Sequence, residues 1–190
     1  MILTVGHSNH PIGNFLALLQ RAGVTAVADV RSHPVSRYAP QFNKEALGKA
    51  LSAHGIAYRY LGDALGGRPR DRAFYCDGVV DYDKLAASKD FQAGLDRVIE
   101  ASAEHRVALL CTERDPLHCH RCLLVARRLA ERGPDIGHVL ASGEIASQRA
   151  TEDRLLEMES LGADDLFSRA SRLADAYRAR RPRISSVAAE

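Results

Sequence analysis

The sequence predicts an α/β fold: a three-layer domain with a mostly parallel sheet of about five strands, helices on both faces, and a helical C-terminal extension. Short apolar runs alternate with amphipathic segments of helical period, which is typical of βαβ units. After about residue 146 the pattern is helical only. With 190 residues, 46% of them hydrophobic, the chain can bury one substantial core. We therefore expect one domain, in which residues 1–145 form the α/β part and residues 146–190 a helical extension with a basic tail.

The apolar runs and the helical periods fix the predicted elements in chain order. Strands are predicted at residues 2–5, 24–30, 56–60, 107–111 and 136–140, and VALLC at 107–111 is the strongest signal. Helices are predicted at residues 14–22, 44–55, 90–104, 122–133 and 146–180, the first ending at Gly23, the fourth at Gly133 and the last broken at Gly162. Residues 31–43 and 61–84 are predicted to be loops, and the second is long enough to suggest a function.

Composition limits the cellular locations and the binding partners that the sequence favours. The net charge of +2 is too small to indicate nucleic-acid or membrane binding by bulk charge. No stretch approaches the roughly 20 apolar residues that span a bilayer, and the first residues lack a signal-peptide pattern. The four cysteines show no disulfide framework. These observations predict a cytoplasmic protein without a membrane partner, and are compatible with a homo-oligomer. The basic tail, RARRPRISSVAAE, is interpreted as the solvated end of a charged helix, although its arginines could contact an anion.

Polar and ionisable residues follow four of the predicted strands. The segments are GHSNHP, DVRSHP, LGDALGGRP and CTERDPLHCHR. In open parallel sheets the ligand lies beyond the carboxyl ends of the strands, where loops and helix N-termini converge. We therefore expect one shared site at this edge, although each residue taken singly could be structural. The catalytic candidates are Cys119, His120, His7 and Glu113.

Cys119 is the candidate nucleophile. It precedes an apolar-periodic helix, where free N–H groups and the helix dipole stabilise a thiolate and lower its pKa. His118, His120 or His7 could then act as the base. The spacing from Cys111 or Cys119 to Arg121 does not match the cysteine-to-arginine loop of cysteine-dependent phosphatases.

Arginines in the same segments suggest an anionic ligand, because the planar guanidinium suits carboxylate and phosphate groups. An internal ion pair with Asp29 is the structural alternative for Arg31. Neither a dinucleotide-binding glycine motif nor a P-loop is present. The candidates for substrate binding are Ser8, Asp29, Arg31, Arg37, Tyr38, Asn43, Arg68 and Arg121.

The cysteines and histidines near the fourth strand could also hold a metal ion or haem. Residues 119–122 have C-x-x-C spacing, although a structural zinc site normally needs a second ligand pair. The metal-ligand candidates are Cys111, His118, Cys119 and His120.

Four motifs carry a family resemblance: TVGHSNH, DVRSHPVSRYAPQFN, YLGDALGGRP and LLCTERDPLHCHR. Over residues 1–145 they resemble domain-of-unknown-function family 488. The resemblance supports the predicted fold and site location but, as the family's name says, it implies no agreed reaction. The resemblance points to His7, Ser8, Asp29, Arg31, Ser36, Arg37, Tyr38, Phe42, Asn43, Gly66, Gly67, Arg68, Cys111, Glu113, Cys119, His120 and Arg121. The family pattern has serine where this chain has Cys122, which weakens a redox or zinc role for the C-x-x-C pair.

Three functions follow from these observations. The leading hypothesis is an enzyme of hydrolase or transferase type that binds an anionic small molecule, a nucleotide or a nucleic-acid fragment and uses cysteine and histidine chemistry. The second is a metal- or haem-binding protein that uses the same cysteines and histidines. The third is a non-catalytic nucleic-acid-binding protein that uses the loop arginines and the basic tail.

Overall fold

A computed structural model describes residues 1–162 and 167–181. The strands are β1 (Ile2–Gly6), β2 (Ala26–Asp29), β3 (Ala57–Tyr60), β4 (Tyr75–Cys76), β5 (Val79–Val80), β6 (Val107–Cys111), β7 (Ile136–Val139) and β8 (Ile145–Ser147). Six of them form one sheet in the order β3-β2-β6-β1-β7-β8, in which all neighbours are parallel except β7 and β8. Strands β4 and β5 form a separate antiparallel hairpin.

Helices connect the strands and cover the sheet. They are α1 (Ile12–Arg21), α2 (Lys44–Ser52), α3 (Gly62–Leu65), α4 (Tyr82–Ala86), α5 (Lys89–Glu104), α6 (Arg127–Ala130), α7 (Gln148–Met158) and α8 (Arg169–Arg180). A π-helical segment, Arg121–Ala126, runs directly into α6, and a short 3-10 turn, Pro116–His118, precedes it.

The core is divided between the two faces of the sheet. Alternate residues of β6 point to opposite faces, as the pleat requires. Leu109 packs with α5, the π-helical segment, α7 and α8 on one face, whereas Leu110 packs with α1 and α2 on the other. Each face therefore has its own apolar cluster, which confirms the predicted three-layer α/β architecture.

The structure corrects several details of the predicted elements. β8 covers residues 145–147, where only helix was expected, so the sheet has six strands and not five. Residues 61–84 contain α3, the β4–β5 hairpin and the beginning of α4, and are not one long loop. The predicted helix over residues 122–133 begins as π-helix. Residues 182–190, most of the basic tail, lie outside the described residues.

None of the helices in the described part of the chain combines the length and the apolar character that crossing a membrane requires.

Candidate cysteine-histidine site

A pocket of about 300 Å³ opens at the carboxyl edge of the sheet, beyond β2 and β6. Its lining combines residues from the loops after β2, α3 and β6 with one residue of α4. These residues are Arg31, Ser32, His33, Gly67, Arg68, Tyr82, Cys111, Thr112, Glu113, His118, Cys119 and His120. Ligand sites in open α/β sheets are expected at this edge, because loops from neighbouring strands converge there.

A buried arginine holds the loop that follows β6. The Arg121 side chain is fully buried, and its guanidinium donates hydrogen bonds to the backbone carbonyls of Glu113 (2.5 Å) and Arg114 (3.2 Å). The end of β1 packs tightly on the same loop, since a Cβ on Gly6 would lie 1.8 Å from the Glu113 carbonyl oxygen. Arg121 therefore positions the site loop and does not line the pocket, although the sequence suggested a role in substrate binding.

Two thiols and one imidazole meet at the floor of the pocket. The Sγ of Cys111, at the end of β6, lies 3.6 Å from Nδ1 of His120, and the Sγ of Cys119 lies 4.0 Å from the same nitrogen. All three atoms lie within 4.8 Å of one another. The other ring nitrogen of His120, Nε2, lies 2.9 Å from the carbonyl oxygen of Val30. That contact places the proton on Nε2, because a carbonyl only accepts, and so the lone pair of Nδ1 faces the sulfurs.

The environment separates the pKa values of the two thiols. Burial by itself raises the pKa of Cys119, but a hydrogen bond from Cys111, the charge of Arg121 and the neighbouring His120 together hold it well below its usual value. The Cys111 pKa is raised well above its usual value by its hydrogen bond to Cys119 and by burial. The pair therefore favours a Cys119 thiolate that accepts a hydrogen bond from the Cys111 thiol.

A second cluster, next to the pocket, is fully paired. The Arg31 guanidinium donates to both carboxylate oxygens of Asp29, at 2.9 and 2.6 Å, and the Tyr58 hydroxyl also donates to that carboxylate, at 2.7 Å. Asp29 is completely buried and Arg31 nearly so. The ion pair between Arg31 and Asp29, which the sequence offered as the structural alternative, is thus present. The charge of Arg31 at the pocket is therefore neutralised by Asp29.

His7 belongs to this paired cluster. Its Nε2 lies 3.1 Å from Nη1 of Arg31 and its Nδ1 lies 2.8 Å from the carbonyl oxygen of Ser8. The ring stacks on Phe42, with centroids 4.2 Å apart. Burial, together with the charge of Arg31, lowers the pKa of His7 from 6.5 to about 4. Both ring nitrogens are occupied, so this arrangement gives His7 an orienting contact with Arg31 and keeps it neutral.

A family model described as Domain of unknown function DUF488 matches residues 11–128. This chain belongs to the DUF488 family. No curated protein and no solved structure matches it significantly.

The DUF488 match contains every residue that lines the pocket, since these residues run from Arg31 to His120. His7 and Ser8 precede it, and α7 and α8 follow it. The family region therefore coincides with the walls of the site.

The remaining sequence candidates lie outside this pocket lining of the DUF488 domain. Arg37 stacks on the exposed ring of Tyr38, Asn43 accepts a hydrogen bond from the backbone of Ser36, and Ser8 adopts a positive φ of 46°. Of the catalytic and metal-ligand candidates, the pocket brings together Cys111, Glu113, His118, Cys119 and His120, and of the substrate-binding candidates it brings Arg31 and Arg68.

Four lining residues had not been singled out from the sequence. Ser32 and His33 lie in the DVRSHP segment, and Thr112 lies in CTERDP, so the strand-end rule could have included them. Tyr82 comes from α4, after a hairpin that the sequence did not predict, and no motif marked it.

Proposed function

We propose that this protein is an enzyme that binds an anionic, phosphate-bearing substrate in the pocket and uses the cysteine-histidine cluster on its floor as the reactive centre. The observation that carries this proposal is the meeting of Cys111, Cys119 and His120 with Arg68 around one pocket. A reactive centre beside a cation is the arrangement that hydrolases and transferases of anionic substrates need.

The guanidinium of Arg68 supplies a positive charge that attracts the anionic substrate. Among residues 1–162 and 167–181, no carboxylate lies within ion-pair distance of its guanidinium. Its backbone N–H donates to the Ser32 hydroxyl at 2.9 Å, which ties the loop after α3 to the loop after β2. The backbone of Arg68 is therefore fixed beside the pocket, while the five donors of its exposed side chain stay available for an oxyanion.

The paired cluster supports the same proposal. Arg31 is bound to Asp29, so it offers an ordered donor without a net charge at its side of the pocket. The positive field thus comes from Arg68 in the pocket lining and from the buried Arg121, whose charge also acts on Cys119. Such a field suits a small anion. A pocket of about 300 Å³ matches a compact substrate.

Binding is tested with inorganic phosphate and adenosine monophosphate by calorimetry. Arg68→Gln should weaken phosphate binding by about tenfold or more, since a charge-assisted hydrogen bond contributes about 1.5–3 kcal/mol. The matched control is Arg70→Gln, which removes an exposed arginine from the same loop outside the pocket lining. Equal losses in both variants, or no binding to wild-type protein, would contradict the proposal.

Turnover is tested with p-nitrophenyl phosphate and a panel of nucleotide substrates. Cys119→Ser should abolish turnover, whereas Cys122→Ser, three residues further on and outside the pocket lining, should retain it. A folded Cys119→Ser variant with wild-type turnover would remove the cluster from the reaction.

A further inference from the structure

The three atoms on the pocket floor have the composition of a metal-binding site. Two cysteine sulfurs and one imidazole nitrogen converge from the end of β6 and the loop that follows it. Thiolate and imidazole ligands select zinc and other thiophilic divalent cations over magnesium or calcium.

The separations fit a tetrahedral ion. With metal–sulfur and metal–nitrogen bonds of about 2.3 and 2.0 Å, tetrahedral geometry places a sulfur and a nitrogen about 3.5 Å apart and two sulfurs about 3.8 Å apart. The sulfur-to-Nδ1 distances are 3.6 Å for Cys111 and 4.0 Å for Cys119. The two sulfurs lie within 4.8 Å, so binding would require them to approach by at most about 1 Å.

The surroundings hold the imidazole in the orientation that a ligand needs. The Nε2–H of His120 donates to the Val30 carbonyl at 2.9 Å, and metal-ligating histidines usually make such a bond with their second nitrogen. On the other side, Gly67 packs directly against the ring: a Cβ there would lie 2.5 Å from Cγ of His120. The Nδ1 lone pair is thereby aimed at the sulfurs before any ion arrives.

The C-x-x-C pair does not form this site. Cys122 lies outside the group, and its Sγ faces Nε2 of His138 at 4.0 Å. His118 lines the same pocket but is also outside the group of three. Within residues 1–162 and 167–181, three ligands thus come together. Because all three residues line the pocket, a fourth position on the ion would face the pocket.

We propose that Cys111, Cys119 and His120 bind one thiophilic divalent cation, with zinc as the best match, and leave a fourth position open to substrate or water. Binding releases the thiol protons that Cys111 and Cys119 carry to solvent, so that two thiolates and one neutral imidazole surround the ion. Three protein ligands with an open position are typical of catalytic zinc sites, whereas structural sites use four. The inference rests on the proposed function, in which the ion then acts as Lewis acid on an anion held by Arg68.

Cobalt titration provides the test. Untagged protein is stripped with a chelator under anaerobic conditions and titrated with Co²⁺, which reports tetrahedral thiolate coordination by its d–d and charge-transfer absorption. We expect one equivalent to bind and Zn²⁺ to displace it. Cys111→Ser, Cys119→Ser and His120→Asn should each lower the affinity by at least about 100-fold, since second-shell changes alone cost 10–100-fold.

Cys122→Ser is the matched control, because it removes a buried thiol that lies outside the group of three. It should leave the cobalt spectrum and affinity unchanged. The proposal is overturned if folded wild-type protein gives no tetrahedral spectrum, if that spectrum survives Cys119→Ser, or if Cys122→Ser abolishes it. A stripped protein that instead forms a Cys111–Cys119 disulfide and cannot take up cobalt after reduction would also overturn it.

The two proposals fail in different ways. Turnover in stripped protein that also gives no tetrahedral cobalt spectrum would overturn the metal proposal and leave Cys119 as the nucleophile of the proposed enzyme. Stoichiometric cobalt binding in a protein that shows neither phosphate binding nor turnover would support the metal site and overturn the proposed enzyme function.

Discussion

Cys119 and Cys122 are separated by three positions, and the sulfur of each lies 4.0 Å from an imidazole nitrogen, of His120 and His138 respectively. The first pair lines a pocket, whereas the second is enclosed between the sheet and the helices that follow. Two cysteine-histidine pairs with the same separation are therefore expected to differ in the reactivity of their thiols. A cysteine-histidine contact is informative only together with the partners of each group.

Those partners differ in kind. Around Cys119 lie the Cys111 thiol, the charge of Arg121 and the His120 imidazole, which together lower its pKa although burial opposes them. Burial raises the pKa of Cys122 to about 12. Both nitrogens of His138 are engaged, Nδ1 with the Thr4 hydroxyl and Nε2 with the Gln148 side chain, each at 2.8 Å.

The largest expected difference between the pairs is in thiol reactivity. In chelator-treated protein at neutral pH, iodoacetamide should modify Cys119 at least about 1000-fold faster than Cys122, because only the thiolate attacks. Time-resolved peptide mapping by mass spectrometry measures both rates in one sample. Similar modification rates of Cys119 and Cys122 in the folded protein would contradict the predicted difference in thiol reactivity. Denatured protein, in which both thiols are exposed, supplies the reference rates.

The second pair should instead control stability at acidic pH. Burial lowers the pKa of His138 from 6.5 to about 4, so between these values the unfolded chain binds a proton that the folded chain does not. The free energy of unfolding should therefore fall as the pH drops through this window, by about 3 kcal/mol for this group. Above pH 6.5 the contribution is fully present.

Denaturant unfolding at several pH values measures this fall. His7, whose pKa is also lowered to about 4, adds to it in the wild type, so the variant His138→Gln should reduce the fall and not remove it. An identical pH dependence in wild type and variant would show that His138 is protonated equally in the folded and unfolded chains.

The smallest expected effect is the loss of the buried thiol itself. Cys122→Ala should lower the free energy of unfolding by about 1–2 kcal/mol, because it leaves a small cavity in a fully buried position. Chemical denaturation measures the loss. Cobalt affinity and turnover should stay at wild-type levels, and a tenfold change in either would mean that the second pair supports the first.

Much of the fold could be predicted from the sequence because its strands are strongly apolar. The run VALLC gives the fully buried β6, and the strand-end rule then places Cys111, His120 and Arg68 at one edge. β8 was not predicted because it has only three residues and because Ile145, one of them, is exposed. It pairs only with β7, at the edge of the sheet. The two-residue strands β4 and β5 are too short to show any period.

The site was predicted less completely than the fold, because side-chain direction depends on local geometry. C-x-x-C spacing left a joint role for Cys119 and Cys122 open, although the family resemblance weakened it. In the structure the chain turns from the extended Cys119 into helix, and Cys122 lies outside the group formed by Cys111, Cys119 and His120. His7 was a candidate base on its position after β1, but its ring stacks on Phe42 and contacts Arg31. Neither direction can be read from the order of residues alone.

The π-helical segment Arg121–Ala126 has a consequence for how this site can change over generations. A π-turn is equivalent to an α-helix that has gained one residue, and such turns are frequent at functional sites. Loss of a single codon within this segment would restore the α-helical repeat and rotate everything before it by about 100° relative to α6. Arg121 would then turn away together with Cys119 and His120, the two proposed ligands directly before it. Single substitutions in this segment can change the site geometry in small steps, whereas a one-codon deletion would remove the site at once.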